Sequence, residues 1–203
     1  MHIPCGESLT IDILDFDTAL SMSGRGDAYD AEKWLYVPDF YTEYRYILGT
    51  RGQKPLICIG VNPSTAEPDN LDNTLKSVER IALGNGFDSF IMFNVYAQRA
   101  TRPADMEKIR NEALHRANME AFDYILSLSE TPAVWAAWGN IIEQRSYLKA
   151  CVQDMIELGK ARGAVWYTAG KRSAKGHPHH PLYLRKDSPL DPFDAAEYCA
   201  ECL

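Results

Sequence analysis

No stretch of this 203-residue chain stays apolar for the roughly 20 residues that a bilayer-spanning helix needs. Met1 to Gly6 have neither the basic start nor the apolar stretch of a secretory signal, so a cytoplasmic location and no membrane partner are expected. Cysteine is too sparse for a disulfide framework: the five, Cys5, Cys58, Cys151, Cys199 and Cys202, are odd in number and scattered. Cys199 and Cys202 make a single C-x-x-C with no second pair, which reads as two thiols on a terminal tail before it reads as a metal or redox site. There is no internal repeat and no low-complexity segment. Acidic side chains are missing from one region. None occurs from Leu158 through Lys186, a stretch that carries Lys160, Arg162, Lys171, Arg172, Lys175, Arg185 and Lys186 and three of the five histidines. That segment is either a solvated loop or a rim facing an anion. The formal charge of −7 opposes non-specific attraction to nucleic acid.

Hydrophobic residues make up 46% of the chain and charged residues 24%, the balance of a soluble protein with one ordinary domain and a full core. The chain is organised around residues 56–67. The apolar run Leu56-Ile57-Cys58-Ile59 stops at Gly60, and Asn62-Pro63-Ser64-Thr65 follows at once. A strand buried on both faces looks like this when it delivers a loop to the carboxyl edge of a sheet. Pro63 pushes Asn62 towards an extended or turn conformation and so presents its amide at the strand end.

Before this stretch, residues 1–40 read as an irregular or β-rich extension, with Thr10–Leu14 partly alternating and 21–27 a glycine loop. Residues 41–48 have strong β character. The turn-rich 49–55 would fold them onto the 56–59 strand as a hairpin. After it, Leu75, Val78, Ile81 and Ala82 have helical spacing within 72–83, and Gly84-Asn85-Gly86 reads as a C-cap. Phe90–Val95 reads as a second strand. A helix is expected from Pro103 towards Leu128, with Met106, Ile109, Ala113 and Ala117 on one face. Residues 133–139 form a third strand, Ile141 to Met155 a helix, and 164–167 a fourth strand. The expected fold is α/β, three-layer α/β/α, around a central, mostly parallel four-stranded sheet, over a single domain spanning 41–190. Residues 191–203 are expected to form a tail, with the acidic chain from Asp187 on outside the core.

In a parallel sheet the loops after all four strands emerge at one edge. They contain Asn62-Pro63-Ser64-Thr65, Asn94 to Arg99, Trp138-Gly139-Asn140 and His177 to Leu184. Asn62 and Asn94 can each read a base edge with paired hydrogen bonds or hold their own turns. Ser64 and Thr65 can cap a helix or bind a phosphate or sugar. Asp72 caps a helix or acts as a general base. Arg80 and Arg99 bind phosphate or form surface ion pairs. His177, His179 and His180 are too close together and too interrupted by proline for a helical metal motif, and a single histidine donating to a developing anion is more economical.

Arg45-Tyr46, Asn62-Pro63-Ser64-Thr65-Ala66, Asp72 with Thr74, Asn94 with Arg99-Ala100-Thr101, Ala137-Trp138-Gly139 and His180-Pro181-Leu182-Tyr183-Leu184 look like the bacterial and phage family called domain of unknown function 1643. The match covers about residues 40–190, and the family name carries no activity. Gly60-Val61-Asn62-Pro63, Phe93-Asn94, Trp138-Gly139 and His180-Pro181-Leu182-Tyr183-Leu184 also resemble, in order, the strand-end motifs of the uracil-DNA glycosylase superfamily. That resemblance implies that Asn62 positions water, Asn94 reads the base and His180 donates to the base oxygen as the glycosidic bond breaks.

The function expected is N-glycosidic hydrolysis of a nucleobase, nucleotide or nucleic acid. Asn62, His180 and Asp72 would be catalytic, and Ser64, Thr65, Asn94, Arg99, Trp138 and Tyr183 would bind substrate. Asn62 stands where a stronger base would be Asp, which motivates a non-catalytic module that binds a nucleotide-like ligand. A third reading is metal-dependent hydrolysis by the three loop histidines with Asp72. The leading reading needs no cofactor or metal, and its partner is a nucleotide-like small molecule or nucleic acid.

Overall fold

Side chains alternate along the buried strands, and this alternation sorts the core into two halves. The structure is a computed structural model that describes residues 12–203. The described residues hold seven strands: β1 (Trp34–Val37), β2 (Ile47–Thr50), β3 (Pro55–Gly60), β4 (Ser89–Asn94), β5 (Ala133–Ala136), β6 (Val165–Ala169) and β7 (Leu190–Pro192). They form one sheet in the order β1-β2-β4-β3-β5-β6-β7. The pairs β3–β4, β3–β5 and β5–β6 are parallel. The pairs β1–β2, β2–β4 and β6–β7 are antiparallel.

The helices are α1 (Phe16–Met22), α2 (Asn73–Gly84), α3 (Glu112–Leu126), α4 (Tyr147–Ala161) and α5 (Ala195–Cys202). Ile57, Ile59, Ile91, Phe93, Val134 and Ala136 turn to one face, where α1, α3, α4 and α5 cover them. Leu56, Cys58, Phe90, Met92 and Trp135 turn to the other, under Leu75, Val78, Ile81 and Ala82 of α2. The fold is therefore α/β with a mixed sheet between helices. Among the described residues no helix is long and apolar enough to cross a membrane.

The sheet is wider than the four strands expected. The expected hairpin between 41–48 and β3 does not form. Instead β4 takes the place beside β3, with Gly60 opposite Asn94, and β2 pairs with the far side of β4. A strand followed by a crossover helix returns beside its own starting strand, and α2 supplies that crossover. Only 47–48 of the 41–48 run are strand, as the start of β2, whose other antiparallel partner is β1, inside the segment expected to be an extension. That segment is not simply β-rich either. Asp15 accepts from Thr18 N–H and caps α1. Of the Thr10–Leu14 alternation, Thr10 and Ile11 lie outside the described residues and 12–14 are not strand.

The helix expected from Pro103 also starts later. Pro103–Asp105 is one short 3-10 turn, and α3 begins only at Glu112, capped by Asn111, whose Oδ1 accepts from Ala113 and Leu114 N–H. Ile109, expected on the buried face, is 75% exposed. Ile141 sits in a 3-10 turn, Gly139–Glu143, ahead of α4. The 64–67 capping pattern starts no helix, and those residues lead instead into a tight turn closed by Glu67 and Asn70.

The largest correction concerns the chain after Asp187. It supplies β7 on the edge of the sheet and α5 on its face, and Tyr198 is fully buried. Acidic residues on its outer side hid the apolar face of Phe193, Ala195 and Tyr198. Trp138 Nε1 donates to the Tyr198 hydroxyl at 2.9 Å, and that hydroxyl lies 2.8 Å from His177 Nδ1. His177 Nε2 faces Glu143 Oε1 at 3.4 Å, so the neutral ring carries its proton there and Nδ1 accepts from the tyrosine. Tyr198→Phe removes the middle of this chain and leaves two buried polar groups unpaired. It is expected to lower stability by about 1–3 kcal/mol in urea denaturation. An unchanged midpoint would show that the hydroxyl does not anchor α5.

Candidate functional site

The pairing of β3 with β4 runs past the strand ends. Val95 N–H donates to Gly60 O and Tyr96 N–H to Val61 O, both at 2.9 Å. The two following loops leave side by side, and Ala100 N–H reaches Pro63 O at 2.9 Å. A cavity of about 270 Å³ lies between these loops, the start of α2 and residues 180–183. That is near the lower limit for ligand pockets and suits a small molecule.

Asn62, Ser64, Asp72, Asn94, His180 and Tyr183 all line this cavity. Thr65 and Arg99 do not: they line a second cavity of about 460 Å³ with Tyr29, Tyr36 and Tyr41. Trp138 lines neither, because it is buried in the core with its indole N–H on Tyr198.

Asn62 Nδ2 donates to Ala100 O at 2.7 Å and to Pro63 O at 3.0 Å. Both amide protons are thus used on backbone carbonyls, and Oδ1 is the group left for a water or ligand. An aspartate here would set its carboxylate against those two carbonyl oxygens.

Asn94 is 1% exposed, and both its Nδ2 and its Oδ1 lack any hydrogen-bond partner. Its main chain is held firmly, since Asn118 Nδ2 donates to Asn94 O at 3.0 Å. Gly60 makes room for the amide: a Cβ there would lie 3.3 Å from Asn94 Oδ1 and 2.5 Å from Met92 Cε.

Asp72 is the N-cap of α2, with Oδ1 accepting from Leu75 N–H at 2.9 Å. Its second oxygen has no hydrogen bond among the described residues, so capping and facing the cavity coexist.

His180 begins the short turn Pro181–Tyr183, and Pro181 O is tied to α2 by Ser77 Oγ at 2.9 Å. Leu182 N–H donates to His180 Nδ1 at 3.3 Å, which leaves the proton of the neutral ring on Nε2. Burial lowers the His180 pKa from 6.5, and the nearby Asp72 carboxylate offsets this only in part. Gly139 has φ +59, and a Cβ on it would lie 3.5 Å from His180 Cβ, so the Trp-Gly turn supports the histidine loop from below. Tyr183, 74% exposed, stands at the cavity mouth.

The other two histidines of the loop face elsewhere: His177 belongs to the Tyr198 chain and His179 Nδ1 bonds Lys171 O at 2.9 Å. Among the described residues no three His, Cys, Asp or Glu side chains are grouped to hold a metal ion.

A family model described as Protein of unknown function (DUF1643) matches residues 45–182. The chain belongs to that family. No curated protein and no solved structure matches it. The span shared with DUF1643 contains every cavity residue named above except Tyr183, which lies one position beyond it. Its first residue, Arg45, also lines the cavity, although the sequence marked it only as part of the family resemblance and gave it no role. The available signal was a lone charge between Tyr44 and Tyr46 next to a strand. The basic segment 158–186 supplies none of its seven cations to this cavity. Arg162 pairs instead with Asp123, Lys175 with Glu143 and Arg185 with Asp187. Arg80 also stays off the cavity, with Nη2 on Ser77 Oγ at 2.9 Å.

Asn94→Leu keeps the side-chain size and removes two unpaired buried atoms. The ligand-free variant is expected to match the natural protein or exceed it by about 1–3 kcal/mol. A clear drop in the urea midpoint would mean that the amide has partners inside the protein. For His180, the lowered pKa means that between 6.5 and its folded value only the unfolded chain holds the proton. Stability is therefore expected to fall as pH drops through that window, and His180→Gln should flatten the slope. Identical pH profiles for the two proteins would rule out that linkage.

Proposed function

We propose that the cavity receives the base of a nucleotide-like ligand and that the protein hydrolyses the ligand's N-glycosidic bond. The observation that carries this reading is the Asn94 amide. A buried donor and acceptor side by side, both unpaired, cost stability unless something completes them. The edge of a nucleobase offers the matching acceptor and donor.

The remaining roles follow the resemblance to the uracil-DNA glycosylase superfamily. Asn62 Oδ1 accepts a hydrogen bond from the attacking water. The water oxygen bonds to the anomeric carbon, and the base leaves with the electron pair of the broken C–N bond. His180 Nε2–H donates to the oxygen of the base, where negative charge builds. The proton lost by the water ends on the released base. The formal charge of −7 favours a mononucleotide or a single strand over a duplex.

A second reading, binding without turnover, has its own support. Asn62 has no proton-accepting carboxylate, and Asp72 is partly committed to its helix cap. One experiment separates the two. The protein is incubated with damaged and modified bases in nucleotides, single strands and duplexes, and base release is followed by chromatography. His180→Ala is expected to slow release by about 100-fold or more. Release no greater than that of an Asn62→Ala/His180→Ala double variant, alongside a saturable thermal shift, would leave only the binding reading.

A further inference from the structure

A base alone does not account for the charge in this cavity. Arg45 lines it and is only 1% exposed. Arg45 N–H donates to Ala97 O at 2.9 Å and Nη1 to Ala66 O at 2.8 Å, so backbone carbonyls hold both ends of the residue. Nε is buried without a partner, and no hydrogen bond engages Nη2 among the described residues. Nε and Nη2 form one edge of the guanidinium, the edge that accepts an oxyanion through two parallel hydrogen bonds.

The surroundings leave this charge unbalanced. No carboxylate lies within ion-pairing distance of Arg45 among the described residues. Burial and the neighbouring Arg99 lower the Arg45 pKa to about 9, and Asp72 counteracts them only weakly. Arg99 is itself buried, with Nη1 on Ser64 O at 2.6 Å and Nη2 on the Tyr36 hydroxyl at 3.0 Å, so it brings no counterion. The buried Arg45 guanidinium thus has a second guanidinium and no paired carboxylate beside it, and an unpaired buried charge is among the most costly features a fold can keep. Thr74, in the first turn of α2, lines the same cavity, and the amide N–H groups that begin a helix add positive potential there.

We propose that Arg45 binds the phosphate of the ligand through its Nε–Nη2 edge, so that the cavity takes a nucleotide in preference to a nucleoside or a free base. This rests on the base reading above and moves the phosphate contact from Arg99, where the sequence suggested it, to Arg45.

The test is titration calorimetry of the natural protein with deoxynucleoside 5′-monophosphates, the matching nucleosides, short single-stranded oligonucleotides and inorganic phosphate. For the preferred base, the monophosphate or the oligonucleotide is expected to bind at least about tenfold more tightly than the nucleoside. Whichever of the two binds more tightly identifies the source of the phosphate. Arg45→Gln should abolish the preference, and Arg45→Lys should keep part of it. The natural protein alone decides the matter if Arg45→Gln fails to fold. Equal affinity for nucleoside and nucleotide overturns the phosphate site and leaves the base reading standing. A phosphate preference with no discrimination among bases, unchanged in Asn94→Leu, overturns the base reading and leaves the phosphate site standing. No binding of any probe overturns both.

Discussion

Two backbone hydrogen bonds, Val95 N–H to Gly60 O and Tyr96 N–H to Val61 O, carry the parallel pairing of β3 and β4 beyond the regular strands. They are the constraint from which the cavity follows. Without them the loops holding Asn62 and Asn94 would diverge with the twist of the sheet. With them, the two amides leave adjacent strand ends in fixed register, and Ala100 closes back on Pro63. The third wall is attached through α2, where Asp72 caps the helix and Ser77 holds Pro181. The position of His180 therefore derives from a helix end and a sheet edge, both rigid, although the residue itself is on a loop.

The polar groups of the molecule fall into two kinds. The Trp138–Tyr198–His177–Glu143 chain is complete, with every donor meeting an acceptor, and it locks α5 onto the sheet. Around the cavity the opposite holds. Asn94 lacks partners for both amide atoms and Arg45 lacks one for Nε, although the Asn94 carbonyl and the Arg45 N–H are engaged. A fold selected only for stability replaces such groups or pairs them. Unpaired buried atoms also occur away from the cavity, as at Arg80, His115, Asn118, Trp135 and Thr168, but only Asn94 and Arg45 bring theirs to its lining.

The strands β3 to β6 were legible because strands buried on both faces are short apolar runs bounded by turns. The α2 helix was legible from its spacing, its Asp72 cap and the Gly86 that follows Asn85 with φ +80. Pairing was not legible where neighbours in sequence are not neighbours in space, as with β2 and β3. Nor was the role of the acidic C-terminal segment, because one large residue, Tyr198, anchors it and its charges face outward. At the site, the loops after β3 and β4 and residues 180–183 meet at one edge of the sheet, while Trp138-Gly139-Asn140 stays off the cavity lining. Trp138 misled because an aromatic just past a strand end can turn inward, and Arg45 was given no role because burial of a charge depends on contacts with residues 66 and 97, far along the chain.

Asn62 connects the structural and chemical questions. Read from sequence alone, an amide where a carboxylate would be the stronger base weakens any catalytic assignment. The geometry gives it another reason to be an amide. Its two N–H groups tie the first loop to Ala100 and Pro63, a task no carboxylate can perform. The same bonds orient Oδ1 and hold it without further side-chain motion, and that fixed orientation is what an acceptor for an attacking water needs. The strut bonds and the water-accepting role proposed for Asn62 are therefore compatible in one arrangement. What the residue gives up is proton abstraction, so any hydrolysis here must draw most of its rate from stabilising the departing base. Under the proposed reading that demand falls on His180 Nε2, which makes no hydrogen bond among the described residues, and on the unpaired Asn94 amide.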